Sequence, residues 1–275
     1  MCTVVLLVGV HADYPVLVAA NRDEFYAREA TAPLVLLEST RAVGGRDLRA
    51  GGTWMGVNAH GLFVGLTNQR TWAGPAPSKR SRGDVPLGVL GCRSRDEAEH
   101  YLRSLDAREF NEFNLVYGDA SGLRCAYARG VGAAMTFEDV APGVHVLPND
   151  VLDAPLFAKA ARTAARASTD LRELAQRSAG MGELTPLLRD VIANHERAPL
   201  ESIAQPPGGS PFSRELVREL DAVCIHTPTY GTRSSTIAAL APGRVAHYLF
   251  ASGPPCTTPF DDFTALLSAD ARSSS

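Results

Sequence analysis

The chain has 275 residues, of which 45% are hydrophobic and 21% charged, and its formal net charge is −3. This composition is typical of a globular protein and excludes a disordered or fibrous chain. Its basic residues are scattered and form no stripe interleaved with aromatic residues, so we do not expect nucleic acid as a partner. The apolar residues 1–8 are too short to span a bilayer and lack a basic leader, so they predict a buried first strand rather than a signal or transmembrane segment.

Short apolar or β-branched segments, bounded mostly by Gly, Pro, Asn or Asp, predict strands along the whole chain. These segments are residues 3–10, 15–20, 61–67, 113–118, 123–128, 143–147, 233–240 and 244–250. Helical periodicity predicts helices at residues 94–105, 155–178 and 184–194, the first with Ser94 as its N-cap. Strands that come in groups, with helices between the groups, favour antiparallel sheets covered by helices. The prediction is an α+β fold forming one domain over residues 1–268, followed by a polar tail at 269–275.

The cysteines and histidines are spread along the chain. The cysteines are Cys2, Cys92, Cys125, Cys224 and Cys256. They form no CxxC pair and no Cys/His cluster with the spacing of zinc ligands, so we predict neither a disulfide framework nor a metal site, and no cofactor. Among the histidines, His226 is the best candidate for a functional role, because it lies near Cys224 and precedes the strand predicted at residues 233–240. A reducing cytoplasm is the expected compartment.

Cys2 directly follows the initiator methionine. A residue of this size permits removal of Met1, which would leave the thiol beside a free α-amine. An α-amine titrates near about 7.7–8.0 and a free thiol near about 8.5, so the amine can act as the general base for the thiol. The alternative reading is that Cys2 is a small apolar residue at the end of a strand.

Four polar residues, Asn21 to Glu24, follow the second apolar segment. In a regular strand, alternation places Asn21 and Asp23 on one face and Arg22 and Glu24 on the other. One of Arg22 and Asp23 is therefore expected to face a site, and we favour Asp23 unless a β-bulge turns both inward. The alternative is a solvated turn containing an Arg–Glu pair.

The glycine-rich stretch at residues 44–56 fits neither of the common phosphate-loop patterns. Its glycines at 51, 52 and 56 are expected to permit tight turns that set Trp54 over a pocket. Trp54 would then be either a packing residue or a platform for substrate.

Several motifs, in order along the chain, resemble those of the NRDE family, also named for transport and Golgi organisation protein 2. They are MC at residues 1–2, NRDE at 21–24, GGRDLRAGGTWMGVNAHGLFVGLTN at 44–68, FNLVYGD at 113–119, LPNDVLDAP at 147–155 and YGTRSST at 230–236. This resemblance implies a fold similar to the N-terminal-nucleophile hydrolases, a four-layer αββα sandwich of two mainly antiparallel sheets. Within that superfamily the likeness is to choloylglycine hydrolases and penicillin V acylases, which cleave linear amides with a mature N-terminal cysteine.

The same resemblance implies roles for individual residues. Cys2 would be the nucleophile, Asp23 would hydrogen-bond its α-amine, and Arg22 would stabilise the thiolate. In the acylases the arginine and the aspartate are separated by two residues, whereas here Arg22 and Asp23 are adjacent. Asn21 is a candidate for substrate binding, as is Trp54.

Three further polar residues complete the candidate site. The side-chain amide of Asn68, which closes a predicted strand, is a candidate oxyanion donor, and Asn114 is the second asparagine candidate. Arg233 would hold the arrangement electrostatically or meet an acidic group of the substrate, because its planar guanidinium suits carboxylates and phosphates.

Two functions follow from these predictions. The first is a hydrolase or acyltransferase that acts on a linear amide, ester or thioester through Cys2. The second is a non-catalytic carrier of haem or an acyl lipid, since the resemblance extends to proteins implicated in lipid homeostasis, secretory-pathway organisation and haem movement. Cys2, His60 or His226 would be the iron ligands of a haem carrier, although the chain has no CxxCH motif. The expected partner is a small acyl substrate or a hydrophobic ligand.

Overall fold

The computed structural model describes residues 2–72, 74–155, 157–176 and 179–268. Within these ranges the strands are β1 (Cys2–Val8), β2 (Val16–Phe25), β3 (Leu34–Leu37), β4 (Ala42–Gly44), β5 (Met55–Val57), β6 (Phe63–Asn68), β7 (Phe113–Asp119), β8 (Gly122–Ala128), β9 (Thr136–Asp139), β10 (Gly143–Leu147), β11 (Tyr230–Ala241), β12 (Arg244–Ala251) and β13 (Asp261–Asp262). The α-helices are α1 (Asp84–Leu90), α2 (Arg95–Ser104), α3 (Ala158–Gln176), α4 (Met181–Ile192) and α5 (Arg214–Glu219). The polar tail predicted at 269–275 lies outside the described residues. None of the described helices combines the length and apolar character needed to cross a membrane.

The first sheet has the strand order β10-β1-β2-β11-β12-β13, with every neighbouring pair antiparallel. Its central strands are buried on both faces, so β1 reads as a continuous apolar run instead of an alternating one. Val4 and Leu6 of β1 face the other sheet, whereas Val5 and Leu7 face a layer of helices.

The second sheet has the strand order β3-β4-β5-β6-β7-β8-β9 and is also antiparallel. Val57, Phe63 and Val116 on its inner face pack against the inner face of the first sheet, which includes Val18 and Ala238. The core of the molecule therefore lies between two stacked sheets.

Helices cover the outer face of each sheet. Leu184 and Leu188 of α4, with Ala160 of α3, pack on the first sheet. Val89 of α1 and Leu102 of α2 pack on the second sheet. The layers are thus helix, sheet, sheet and helix, and the predicted αββα arrangement is confirmed.

Most of the predicted elements are present, with shifted boundaries. Each predicted strand and helix has a counterpart, and the Ser94 side chain accepts a hydrogen bond from the Glu97 backbone N–H at 3.2 Å, as expected of an N-cap. Elements that the pattern missed are the strands β3, β4, β5, β9 and β13 and the helices α1 and α5. The predicted end of the second strand was wrong, because β2 continues to Phe25 where it stays paired with β11. The NRDE residues therefore lie within a strand and not after it.

Candidate functional site

The paired ends of β1 and β2 bring Cys2 next to the NRDE segment. Cys2 lies directly opposite Arg22 in the antiparallel pair, so both side chains project from the inner face of the first sheet. Asn21 and Asp23 project from the outer face. The Asn21 amide donates to the main-chain oxygens of Ile192 at 2.8 Å and Val223 at 2.9 Å. Asn21 thus connects the sheet to the end of α4.

A cavity of about 440 Å³ opens at this end of the sandwich. Five of the residues singled out in the sequence line it, namely Cys2, Arg22, Asp23, Trp54 and Asn68. Both residues of the Arg22–Asp23 pair line the cavity. The Arg22 side chain shares the inner face of the sheet with Cys2, whereas the Asp23 side chain projects from the outer face.

The Cys2 sulfur lies close to three polar groups of the NRDE segment. The backbone N–H of Asp23 donates a hydrogen bond to it, and the charges of Asp23 and Arg22 act on it electrostatically. Burial is the largest influence and raises the pKa of the Cys2 thiol above its ordinary value. In this environment Cys2 is therefore a neutral thiol around pH 7.

This raised pKa predicts the reactivity of the chain that still carries Met1. Alkylation of Cys2 by iodoacetamide is expected to be slower at neutral pH than that of a free thiol, and to rise with pH beyond the point where a free thiol levels off, because only the thiolate reacts. The measurement is the rate of Cys2 alkylation against pH by peptide mass mapping, with glutathione as the reference thiol. A profile that coincides with glutathione would contradict the prediction.

The Arg22 side chain is held between the two sheets. Its guanidinium lies over the Trp54 ring at 4.4 Å from the ring centre. It also donates to the Asp47 carboxylate at 3.4 Å, which accepts a shorter hydrogen bond of 2.7 Å from Arg28. Burial acts to raise the pKa of Asp47, but the Ala50 N–H and the Arg28 guanidinium outweigh it and hold this pKa below its usual value. Arg22 is thus fixed by a ring and a carboxylate at the cavity wall.

Glycines set the position of Trp54. Gly51 has a φ of +78°, which favours glycine, and it closes the turn before Trp54. A Cβ on Gly45 would lie 2.3 Å from the Trp54 ring, so only glycine fits under the indole there. One face of Trp54 is used by Arg22, and the residue also lines the cavity.

Cationic side chains outnumber carboxylates along the cavity wall. The cations are Arg22, Arg28, Arg49, Lys79, Arg80 and Arg82, and the carboxylates are Asp23, Glu24 and Asp47. Some of these cations are neutralised by ion pairs with neighbouring carboxylates, for example Arg80 by Glu109 at 2.7 Å. The remaining excess gives the cavity a positive potential that attracts anionic groups.

Asp23 lies at the junction of the sheet and the helix layer and is 2% exposed. Its carboxylate accepts a hydrogen bond of 2.6 Å from the Thr232 hydroxyl. Burial raises its pKa, and the nearby ammonium of Lys159 opposes that rise. Lys159 is itself 1% exposed and donates to the main-chain oxygens of Leu220 and Ala222. A buried cation therefore supports the buried carboxylate beside Cys2.

Asn68 closes β6 on the cavity wall. Its main-chain oxygen accepts a hydrogen bond of 2.7 Å from the Asn149 amide. The side-chain amide of Asn68 makes no hydrogen bond within the described part of the chain, and the residue is half-buried. Along β6, Asn68 alternates with the inward-facing residues and follows Val64 and Leu66, so its side chain leaves the strand on the helix-covered face at the edge of the cavity.

Asn114 and Arg233 do not line the cavity. Asn114 is fully buried, where its amide donates to the Thr67 hydroxyl at 2.9 Å and accepts from Arg129 at 2.6 Å.

Arg233 is the extra residue of a β-bulge in β11, between Thr232 and Ser234, and lies over the ring of Tyr26. The bulge considered for the NRDE segment thus occurs on its partner strand. His60 and His226 do not line the cavity either.

Three functional candidates were not found from the sequence, namely Asp47, Arg82 and Lys159. Lys159 had a signal, because it falls on the same stripe of α3 as the buried Thr163 and Ala167, four and eight residues on. Asp47 and Arg82 come from loops, and no spacing pattern places them beside Cys2.

Comparison of structures identifies the fold as that of the N-terminal-nucleophile hydrolases. A variant of conjugated bile acid hydrolase from Clostridium perfringens matches with a TM-score of 0.57 and 14% identity, covering 97% of this chain and 94% of that one. The Caenorhabditis elegans ortholog of N-acylethanolamine-hydrolyzing acid amidase matches with a TM-score of 0.51 and 13% identity, covering 86% and 92%. At these identities the likeness concerns the fold alone.

The chain belongs to the Transport and Golgi organisation 2 family, whose model matches residues 1–248. The Transport and Golgi organization protein 2 homolog of Bos taurus is 30% identical over 243 residues, covering 82% of this chain and 81% of that protein. The Homo sapiens homolog is 29% identical over 236 residues with the same coverage. The resemblance predicted from the motifs is confirmed.

Proposed function

We propose that the protein is a cysteine hydrolase or acyltransferase that acts on a linear amide, ester or thioester through Cys2. The observation that carries this proposal is the position of the Cys2 sulfur. It lies on the cavity at the joined ends of β1 and β2, where the Asp23 N–H donates to it and Arg22 shares its face.

Activation of this nucleophile requires removal of Met1. The new α-amine of Cys2 then takes the thiol proton, and the Asp23 carboxylate holds the resulting ammonium group. Arg22 offsets the charge of the thiolate. The neutral thiol of the unprocessed chain agrees with this order of events, since burial disfavours a thiolate there until a base and a cation stabilise it.

Acylation follows by attack of the thiolate on the substrate carbonyl. The carbonyl oxygen becomes an oxyanion that accepts a hydrogen bond from the Asn68 amide. When the tetrahedral intermediate collapses, the bond to the leaving group breaks and the α-ammonium gives its proton to that group. Water or another acceptor then attacks the Cys2 thioester, releases the acyl group and restores the thiol.

The charge of the cavity favours a substrate that carries an anionic group. Arg49 and Arg82 offer guanidinium groups at the cavity wall, and planar guanidinium forks suit carboxylates and phosphates. The role first assigned to Arg233 passes in this proposal to the arginines that line the cavity.

The test is the intact mass of purified protein before and after incubation with an activated aryl ester. We expect Met1 to be absent and one acyl adduct to form on the wild type, but none on Cys2→Ala. A second ester that bears a carboxylate on its acyl chain is expected to react faster, because the cavity is cationic.

Cys92→Ala is the matched control, because Cys92 is another half-buried thiol and does not line the cavity. It should acylate as the wild type does. Retention of Met1 together with an unlabelled Cys2 would overturn the proposal, and non-catalytic binding in the same cavity would then be the function to test.

A further inference from the structure

Four metal-binding side chains meet on the face of the molecule near the end of α4. His195, Cys224, His226 and Cys256 each present a ligand atom, and these atoms all lie within 4.8 Å of one another. Within the described part of the chain, these four residues are the group of His, Cys, Asp and Glu side chains that lies close enough together to hold a metal ion. Three of the four line a second cavity of about 300 Å³, separate from the one at Cys2.

Three distances within the cluster match the edges of a tetrahedral zinc site. The Cys224 and Cys256 sulfurs are 3.8 Å apart, and the His226 Nε2 lies 3.7 Å from the Cys224 sulfur and 3.3 Å from the Cys256 sulfur. Zinc bonds of about 2.3 Å to sulfur and about 2.0–2.1 Å to nitrogen give tetrahedral edges of about 3.8 Å between sulfurs and about 3.6 Å between sulfur and nitrogen. These three edges accommodate a zinc ion with shifts of a few tenths of an ångström, and the ligand atom of His195 lies within 4.8 Å of the other three.

The ring of His195 is oriented so that its Nε2 can bind a metal ion. Its Nδ1 lies 3.0 Å from the main-chain oxygen of Cys224, so Nδ1 carries the proton and donates it. This leaves the lone pair of Nε2 for a metal. Ligating histidines in proteins almost always donate their other ring nitrogen in this way, which fixes both tautomer and ring orientation. The ring stands 5.1 Å from that of His226, centre to centre.

Main-chain hydrogen bonds hold the ligand-bearing loops in place. The Cys224 N–H donates to the Asn194 oxygen at 2.9 Å, which joins the loop after α4 to the loop before β11. Arg189 of α4 donates to the Pro255 oxygen at 2.6 Å and so fixes the loop that carries Cys256. The cluster is thus a preformed arrangement from three loops.

We propose that His195, Cys224, His226 and Cys256 form a structural zinc site. Four protein ligands leave no open position, which is the property of structural rather than catalytic zinc sites, and mixed sulfur and nitrogen donors in a tetrahedron favour zinc. Two thiolates balance the charge of the ion, and their two protons pass to solvent on binding.

The site would connect the surface loops to the strand beside Asp23. Ile225, between two of the ligands, exchanges hydrogen bonds of 2.9 Å with Thr232. Thr232 in turn donates to Asp23 at 2.6 Å. Zinc would therefore stabilise the segment that supports Asp23, and its presence does not depend on whether Cys2 is a nucleophile.

Metal analysis of the full-length protein, purified under reducing conditions and freed of any affinity tag, tests the proposal. We expect about one zinc per chain in the wild type and nearly none in Cys224→Ser or Cys256→Ser. Cys92→Ser, which alters a half-buried thiol outside the cluster, should keep its zinc. Cobalt(II) added to the chelator-treated wild type should give the charge-transfer absorption of a thiolate-bound, tetrahedral ion.

Thiol mapping on the wild type keeps the test independent of variants that fail to fold. Zinc should protect Cys224 and Cys256 from alkylation, and a chelator should expose both. The proposal is overturned if the wild type holds no zinc and takes up no cobalt, or if Cys224 and Cys256 form a disulfide in the reduced preparation. Metal uptake that persists in both serine variants would also overturn it.

Discussion

Replacing Lys159 with methionine is expected to lower the free energy of unfolding by about 3–5 kcal/mol, the usual cost of leaving a buried charge without its compensating charge. The Lys159 ammonium donates to the main-chain oxygens of Leu220 and Ala222, at 3.2 and 3.3 Å, and acts electrostatically on Asp23. Both carbonyls lose their donor in the variant, and Asp23 loses a buried cation. Methionine resembles the lysine stem in length and flexibility, so the loss reports on the charge more than on a cavity.

The loss should depend on pH because it acts through Asp23. Burial already raises the pKa of Asp23 with Lys159 in place, and removal of the cation raises it further. A carboxyl whose pKa is raised by folding favours the folded state at low pH, and this contribution is lost as pH rises through the folded pKa. Lys159→Met is therefore expected to be more destabilised at about pH 8 than at about pH 5, measured by urea unfolding followed by circular dichroism.

Two comparisons separate this mechanism from general damage to α3. Adding Asp23→Asn to Lys159→Met should cost less than the sum of the single changes, because the double variant leaves no uncompensated charge. Arg166→Met, on the exposed side of the same helix, removes an ion pair with Asp190 and should cost less than about 1 kcal/mol. A Lys159→Met protein as stable as the wild type would contradict the prediction.

The sequence predicted the layers of the fold but not all of its strands. Long apolar segments such as β1 and β11 have enough residues for a pattern to be recognised, and their grouping indicated antiparallel sheets. Met55–Val57 has three residues and a central glycine, so it shows no period, yet it lies between β4 and β6 in the second sheet. Such short strands are defined by the neighbours they pair with, which local patterns do not contain.

Part of the candidate site was also predictable from the sequence. Cys2, Arg22, Asp23, Trp54 and Asn68 were predicted because each lies in a motif at the end of a strand or a tight turn, and those ends meet at one cavity.

Only the neighbouring pair Cys224 and His226 gave a local signal for the zinc-like cluster. His195, Cys224 and Cys256 lie far apart in the chain, and their approach depends on how three loops return to the same face. The absence of a ligand-spacing motif therefore could not exclude a metal site.

Asn68→Ala is expected to slow acylation of Cys2 by about 100-fold to 1,000-fold, the usual cost of losing one oxyanion donor. Asn68 lines the same cavity as Cys2, and its side-chain amide has no partner among the described residues. In the proposed mechanism this amide donates to the oxygen on which negative charge develops, so its removal is expected to affect the rate more than binding. The measurement is the rate of adduct formation with the activated ester, followed by intact mass.

Asn111→Ala is the matched control for this change. Asn111 lines the same cavity, but both ends of its amide are used by the Ala76 backbone, at 2.8 and 3.1 Å. It is therefore not available to an oxyanion, and its loss should change the acylation rate by less than about 10-fold, since no transition-state contact is removed. If Asn68→Ala reacts as fast as the wild type while Cys2→Ala does not react, the nucleophile stands but the oxyanion is stabilised elsewhere, and the arginines of the cavity wall become the groups to replace.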